Sequence, residues 1–335
     1  MSRADAFRLV SRHGRIGCVA SITVSAIGIS HIEYELPSEA IELEELHLRG
    51  LLESPPERLR QFGFARAYLS NRPGEEAALK AAHRLMQRSR VPTRDVAAIF
   101  YAGAIPQSHT VSGCGSGNLF NYPVAQLQYE LELERATAIG ISQVGCMGLN
   151  SAVAMARDFL ISNGHAQHVL CISADVLPPG AKREILYNVI SDGACAVLVS
   201  RGCECNRLRY RRQVTKGYYW DSVGKKNEII AAYFPTAQHL INSTLEGAGL
   251  TKDDIRWIIP HNVSRRSWEI LLDLVGLPIE RLFTENIARV GHVIAADNWI
   301  NLRDMMERKL VDSSDKLLLV NFGFGANWAC AVLEY

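Results

Sequence analysis

Apolar and polar residues alternate in blocks along the chain, and the blocks read in turn as helices and strands. Residues 74–90 have the Ala/Leu spacing of an amphipathic helix, and the apolar run 97–101 after it reads as a strand. The same reading gives a helix at 123–132, a strand at 136–142, a helix at 146–163, and strands at 168–175 and 195–200. Further on, it predicts helices at 227–248, 266–274 and 292–309, and strands at 255–260, 282–287, 315–322 and 327–334. Nearer the start, 16–35 reads as a long strand or hairpin, and 38–50 carries helix formers after Pro37-Ser38. A loop rich in Gly, Ser and His covers 103–121. Strands alternating with helices make the class α/β.

The blocks also repeat. Val144, Gly145, Cys146, Arg157 and Asp158, each plus 146, become Val290, Gly291, His292, Arg303 and Asp304. One helix start therefore carries a thiol in its first copy and an imidazole in its second. A second repeat relates 80–101 to 239–260: helix, short turn, then apolar strand, at an offset of 159. Such self-similarity marks a fold of two duplicated halves, 1–205 and 206–335. A pseudo-twofold axis between them would bring Cys146 and His292 together.

Composition narrows the function classes. A net charge of +1 gives no electrostatic case for nucleic acid or an anionic membrane. No apolar run approaches the roughly 20 residues of a membrane span, and residues 1–7 lack the apolar stretch of a secretory signal, so a cytoplasmic location is expected. Cys171, Cys195 and Cys330 lie in apolar strand-like runs, as small buried hydrophobes do. Cys203 and Cys205 form a C-x-C with no second pair, which is a weak zinc pattern; no metal is expected. The glycine-rich stretch 113–117 does not open a helix, and no P-loop occurs, so no nucleotide cofactor is expected.

Three reactive side chains fall at element ends, where scaffolds present chemistry. Cys146 follows a strand and starts a helix, where backbone N–H groups and the local field favour a thiolate and can hold an oxyanion. His261, in Pro260-His261-Asn262 just past a strand, reads as a general base. His292 at its helix start would be held neutral by that helix's field and donate one hydrogen bond to a substrate carbonyl. Asp297, an acid in an otherwise apolar helix, reads either as a solvated residue or as the carboxylate that orients a catalytic histidine. The paired glycines of Gly323-Phe324-Gly325 allow close backbone approach, and N–H groups there would complete an oxyanion hole with that of Cys146.

These pieces together resemble the thiolase superfamily, and most closely β-ketoacyl-ACP synthase III. The matches run in order along the chain: the Cys146 helix, Ser191-Asp192-Gly193-Ala194, Pro260-His261-Asn262, Gly291-His292 through Asp297, and Phe322-Gly323-Phe324-Gly325. The resemblance implies a five-layered αβαβα fold and a homodimer with the strand 168–174 at its interface. It implies a cysteine acylated from a CoA or acyl-carrier-protein thioester, with the carrier as substrate and no resident cofactor. By the same match Phe324 N–H is the second oxyanion donor, and Tyr122 reaches across the interface to the partner's acyl pocket. The departures direct the function. His292 stands where the synthases have Asn, and Asp297 where they have Ser. The pattern Gly-His-x-x-x-Ala-Asp is similar to synthase-III-like acyltransferases of antibiotic pathways, described as Cys-His-Asp enzymes. A carboxylate opposes the enolate of a decarboxylating condensation but supports a histidine base. The expected function is therefore acyl transfer from Cys146 to an O or N nucleophile of a small-molecule acceptor, with His261–Asp297 as base. A carbon–carbon condensing enzyme using Cys146, His261 and His292 is the alternative.

Overall fold

A computed structural model describes residues 26–104 and 121–335. The glycine-rich stretch 113–117, most of the loop 103–121 and the N-terminal part of the 16–35 strand lie outside the described residues. In chain order the first half contains β1 (Ile27–Glu35), β2 (Ala40–Glu42), α1 (Leu43–Leu48), α2 (Pro56–Gln61), β3 (Arg66–Tyr68), α3 (Gly74–Ser89), β4 (Val96–Ala102), α4 (Pro123–Glu130), β5 (Thr137–Ile141), α5 (Gly148–Ser162), β6 (His168–Asp175), β7 (Glu184–Ile185), β8 (Asn188–Val189) and β9 (Gly193–Arg201). The second half contains β10 (Arg207–Thr215), α6 (Lys226–Ala248), β11 (Ile255–Ile259), α7 (Arg265–Val275), α8 (Glu285–Arg289), α9 (Asp297–Glu307), β12 (Lys316–Gly323) and β13 (Asn327–Glu334).

The two large sheets have one plan. The first runs β1-β9-β6-β4-β5 and the second β10-β13-β12-β11. Both begin with two antiparallel pairings and continue parallel. A single parallel bridge from Ile258 to Leu282 occupies the place that β5 fills in the first sheet. The offset of 159 holds in detail. The 3₁₀ turns Thr93–Asp95 and Lys252–Asp254 precede β4 and β11, and the left-handed helix ends Arg90 and Gly249 match at the same spacing. The last strand of the first sheet ends at Arg201 and the first of the second begins at Arg207.

Most strands are apolar throughout because both sheet faces are covered. In β12, Leu317 and Leu319 face the central core while Leu318 and Val320 face the outer one. In β9, Cys195, Val197 and Val199 point inward, and Ala194, Ala196 and Leu198 pack under α3. Helices α5 and α9 fill the space between the sheets through Leu149, Val153, Leu160, Trp299, Ile300 and Met305. Helix α3 covers the outside of the first sheet, and α6 with α7 the outside of the second. The result is the expected αβαβα sandwich. Cys171, Cys195 and Cys330 are fully buried, as read from their apolar runs.

Three expectations change. The 282–287 strand reduces to the Leu282 bridge, and α8 follows it. Strand β10, Arg-Leu-Arg-Tyr-Arg-Arg-Gln-Val-Thr, was not foreseen; it is a sheet edge, where outward arginines stay solvated and block further pairing. The strand 168–174 expected at a dimer interface is β6, hydrogen-bonded on both edges by β9 and β4. Among the described residues the edges of that sheet are β1 and β5, and in β5 Thr137, Ala138 and Gly140 are exposed.

Candidate active site

The site forms where the two central helices begin. Cys146 lies in the 3₁₀ turn Gly145–Met147 that leads into α5. The corresponding turn before α9 is Ile294–Ala296, so His292 precedes its helix rather than opening it. Gly145 and Gly291, the repeat-matched glycines, both have positive φ, at 57° and 76°, conformations that glycine adopts without penalty. The backbone of His292 is pinned by the Ser191 loop: Ser191 N–H donates to His292 O at 2.9 Å and Ser191 Oγ–H to Val290 O at 2.6 Å. Asp192 secures that loop in turn, through a buried ion pair with Arg183 and bonds from Leu177 N–H and Ser70 N–H at 2.9 and 2.7 Å.

Cys146, His292 and Asp297 stand in line. Cys146 Sγ is 3.6 Å from His292 Nε2, and His292 Nδ1 is 2.6 Å from Asp297 Oδ2. Asp297 is fully buried. Its Oδ1 accepts from Val293 N–H and its Oδ2 from Asn262 N–H, both at 2.7 Å. Burial disfavours a charge on His292, but the Asp297 carboxylate and the Cys146 sulfur outweigh it and push this imidazole up to about 10. The expectation of a His292 held neutral by a helix start is therefore corrected: a carboxylate beside the ring is the stronger influence.

His261 takes a different place from the one expected. Its Nε2 is 3.7 Å from Asp297 Oδ2, beyond hydrogen-bond reach, and among the described residues both buried ring nitrogens have no hydrogen-bond partner. Its ring meets that of His292 edge to face, with centroids 4.5 Å apart. Burial, with His292 alongside, pushes His261 well below the ordinary imidazole value, which keeps it neutral. The carboxylate–histidine pair of this site is thus Asp297–His292, not Asp297–His261.

The glycine loop between β12 and β13 backs directly onto the Cys146 turn. A Cβ on Gly323 would fall 2.9 Å from Cys146 N, and one on Gly145 would fall 2.7 Å from Phe324 N. Only glycine permits this approach, and it brings the two N–H groups expected to hold an oxyanion into one neighbourhood. Tyr122 is 62% exposed at the start of α4, on the chain's surface.

Sequence reading missed the asparagines beneath the site. Asn298 Oδ1 accepts from Asn150 and Asn321 at 2.9 and 2.8 Å, and Asn321 Nδ2 also donates to Cys146 O at 3.2 Å. Asn301 Nδ2 donates to Pro260 O and to Asn262 Oδ1 at 2.9 and 2.8 Å, and Asn262 Nδ2 to Gly291 O at 3.0 Å. These bonds tie the turns bearing Cys146, His261 and His292 to α9. The available signal was Asp297, Asn298 and Asn301 at helical spacing in an apolar segment.

Residues 245–335 match the family described as 3-oxoacyl-[acyl-carrier-protein] synthase III, C-terminal. The β-ketoacyl-[acyl-carrier-protein] synthase III of Aquifex aeolicus is 25% identical over 269 residues, covering 77% of this chain and 83% of that protein. The chain is similar to these synthases in sequence and has their thiolase fold. The solved structure of the Aquifex aeolicus synthase superposes on this chain with a TM-score of 0.79 at 22% identity, covering 92% of this chain and all of that one. An acyltransferase designated ChlB3 gives the same TM-score, 0.79, at 22% identity, covering 92% of this chain and 97% of its own. Among the described residues, no helix is long and apolar enough to cross a membrane.

Proposed function

We propose that this chain is an acyltransferase that loads an acyl group onto Cys146 from a CoA or acyl-carrier-protein thioester and passes it to an oxygen or nitrogen nucleophile of a small molecule. The observation that carries this reading is His292 bridging the Cys146 sulfur and the buried Asp297 carboxylate. The Cys146 thiolate, paired with protonated His292, attacks the thioester carbonyl. The carrier thiolate leaves and takes the His292 Nε2 proton, so the acyl-enzyme holds a neutral imidazole. An acceptor O–H or N–H then gives its proton to Nε2 as its heteroatom attacks the acyl carbon. Cys146 thiolate departs, and the ion pair is restored. Asp297 holds the His292 proton at Nδ1 throughout, the role of the carboxylate in hydrolase triads. The N–H groups of Cys146 and Phe324 hold the tetrahedral oxyanion. Neutral His261, whose ring nitrogens have no partner among the described residues, receives a hydrogen bond from the acceptor or donates one to it.

A condensing role is the second reading, favoured by the convergence of two imidazoles on one sulfur. Decarboxylation separates the two. The acyl-enzyme given carboxyl-labelled malonyl thioester is expected to release no label beyond the enzyme-free control; release coupled to a β-ketoacyl product would establish condensation instead.

The active assembly is proposed to be a homodimer, with the β5 edge as the interface and Tyr122 facing the partner's acyl pocket. Exposed residues along β5, at a sheet edge among the described residues, are the support for this, since an edge strand invites a second strand. Sedimentation at micromolar concentration should give twice the chain mass of 37.1 kDa, and a monomer would count against the assembly.

A further inference from the structure

We propose that Cys146, His292 and His261 form a binding site for one Zn²⁺ ion, which closes the nucleophile reversibly. Sulfur and one ring nitrogen of each imidazole lie within 4.8 Å of one another. Tetrahedral zinc, with Zn–S of about 2.3 Å and Zn–N of about 2.0–2.1 Å, sets its sulfur and nitrogen ligands roughly 3.5 Å apart. Cys146 Sγ and His292 Nε2 are 3.6 Å apart. A second observation points to a ligand independently. His261 is 2% exposed, and among the described residues neither of its ring nitrogens has a hydrogen-bond partner. A buried imidazole left in that state carries unsatisfied polar atoms, and a metal ion in contact with both Cys146 and His292 would take up one of its two nitrogens.

The shell around the ligands fits as well. His292 offers Nε2 to the cluster while Nδ1 is held by Asp297 at 2.6 Å, the carboxylate–histidine arrangement that orients imidazoles on zinc. Cys146 is only partly buried and gives the ion a way in. Three protein ligands leave a fourth position for water or a substrate atom. Binding takes the sulfur as thiolate and both imidazoles neutral, so one proton leaves the Cys146–His292 pair for solvent. An ion on Sγ and an acyl group on Sγ exclude each other. Binding itself does not rest on the acyl-transfer reading; only this competition does.

The test uses the full chain carrying Cys203→Ser and Cys205→Ser, which removes the C-x-C thiols on the surface. Zn²⁺ is titrated against a chromogenic chelator, and Co²⁺ serves as a spectroscopic probe. The expected result is one ion per chain, with a sulfur-to-Co²⁺ charge-transfer band and tetrahedral d–d bands. Asp297→Asn should weaken binding by about 10- to 100-fold, and Cys146→Ser and His261→Gln should weaken it further. Alkylation of Cys146 with iodoacetamide, which needs no substitution, should abolish the charge-transfer band. No saturable binding, an octahedral Co²⁺ spectrum without the sulfur band, or binding indifferent to Cys146 alkylation would each overturn the site. Zinc bound at Cys146 in a chain that no acyl thioester loads would uphold the metal site and sink the acyl-transfer reading.

Discussion

Asp297→Asn slows transfer of the acyl group off Cys146 by about 10⁴-fold, the loss seen when a comparable triad loses its carboxylate, while loading of Cys146 falls far less. The asymmetry comes from what Asp297 touches. Its two oxygens accept Val293 N–H, Asn262 N–H and the His292 Nδ1 proton. An asparagine has one oxygen for these donors. With that oxygen on Val293 N–H, its amide N–H₂ faces His292 Nδ1 and donates to it. The imidazole proton then moves to Nε2, the nitrogen that must take the acceptor's proton. Loading asks less, because a thiol is strongly nucleophilic even with modest activation. Rapid-quench kinetics on the pre-formed acyl-enzyme, compared with its rate of formation, read the two steps separately. Equal slowing of both would mean that Asp297 acts only by building the site.

Cys146→Ala removes the acyl adduct entirely, from one per chain to none, by intact-protein mass spectrometry after incubation with acyl thioesters. No other described cysteine has an imidazole on its sulfur. Cys171, Cys195 and Cys330 are fully buried, and burial pushes their thiols up, Cys330 to about 12. Half-buried Cys203 is pushed the same way, and Cys205 is exposed to solvent. An adduct that persists at full stoichiometry in Cys146→Ala, on any cysteine, would remove the nucleophile assignment and the triad with it.

The sequence located the reacting groups better than it paired them. The matching Val-Gly steps before Cys146 and His292 exposed the duplication, because both glycines are needed at positive φ beside the site. The apolar runs exposed the strands, because both sheets are covered on both faces. Which histidine meets Asp297 was not readable. That depends on the turn between Gly291 and α9, where Ile294 also has positive φ, at 50°, and where Val293 N–H closes onto Asp297. Neither feature has a periodicity. The identity offset of 146 misled for the same reason: helix α9 starts 149 residues after α5, so His292 lies ahead of its helix and its ring reaches the sulfur from outside it. Adjacent cysteines are the usual sequence mark of a zinc site, whereas the three donors that fit one here come from segments 115 and 31 residues apart, Cys146, His261 and His292.

Discharge of the acyl-enzyme by acceptor class tests the account most directly. Cys146 is loaded with a single acyl thioester, excess donor is removed, and separate portions are mixed with hydroxyl compounds, amines or malonyl thioester. The account predicts that an alcohol or amine removes the adduct and yields an ester or amide of matching mass, at a rate that Asp297→Asn collapses. An adduct that survives every oxygen and nitrogen nucleophile, and leaves only with malonyl thioester and release of CO₂, would contradict it.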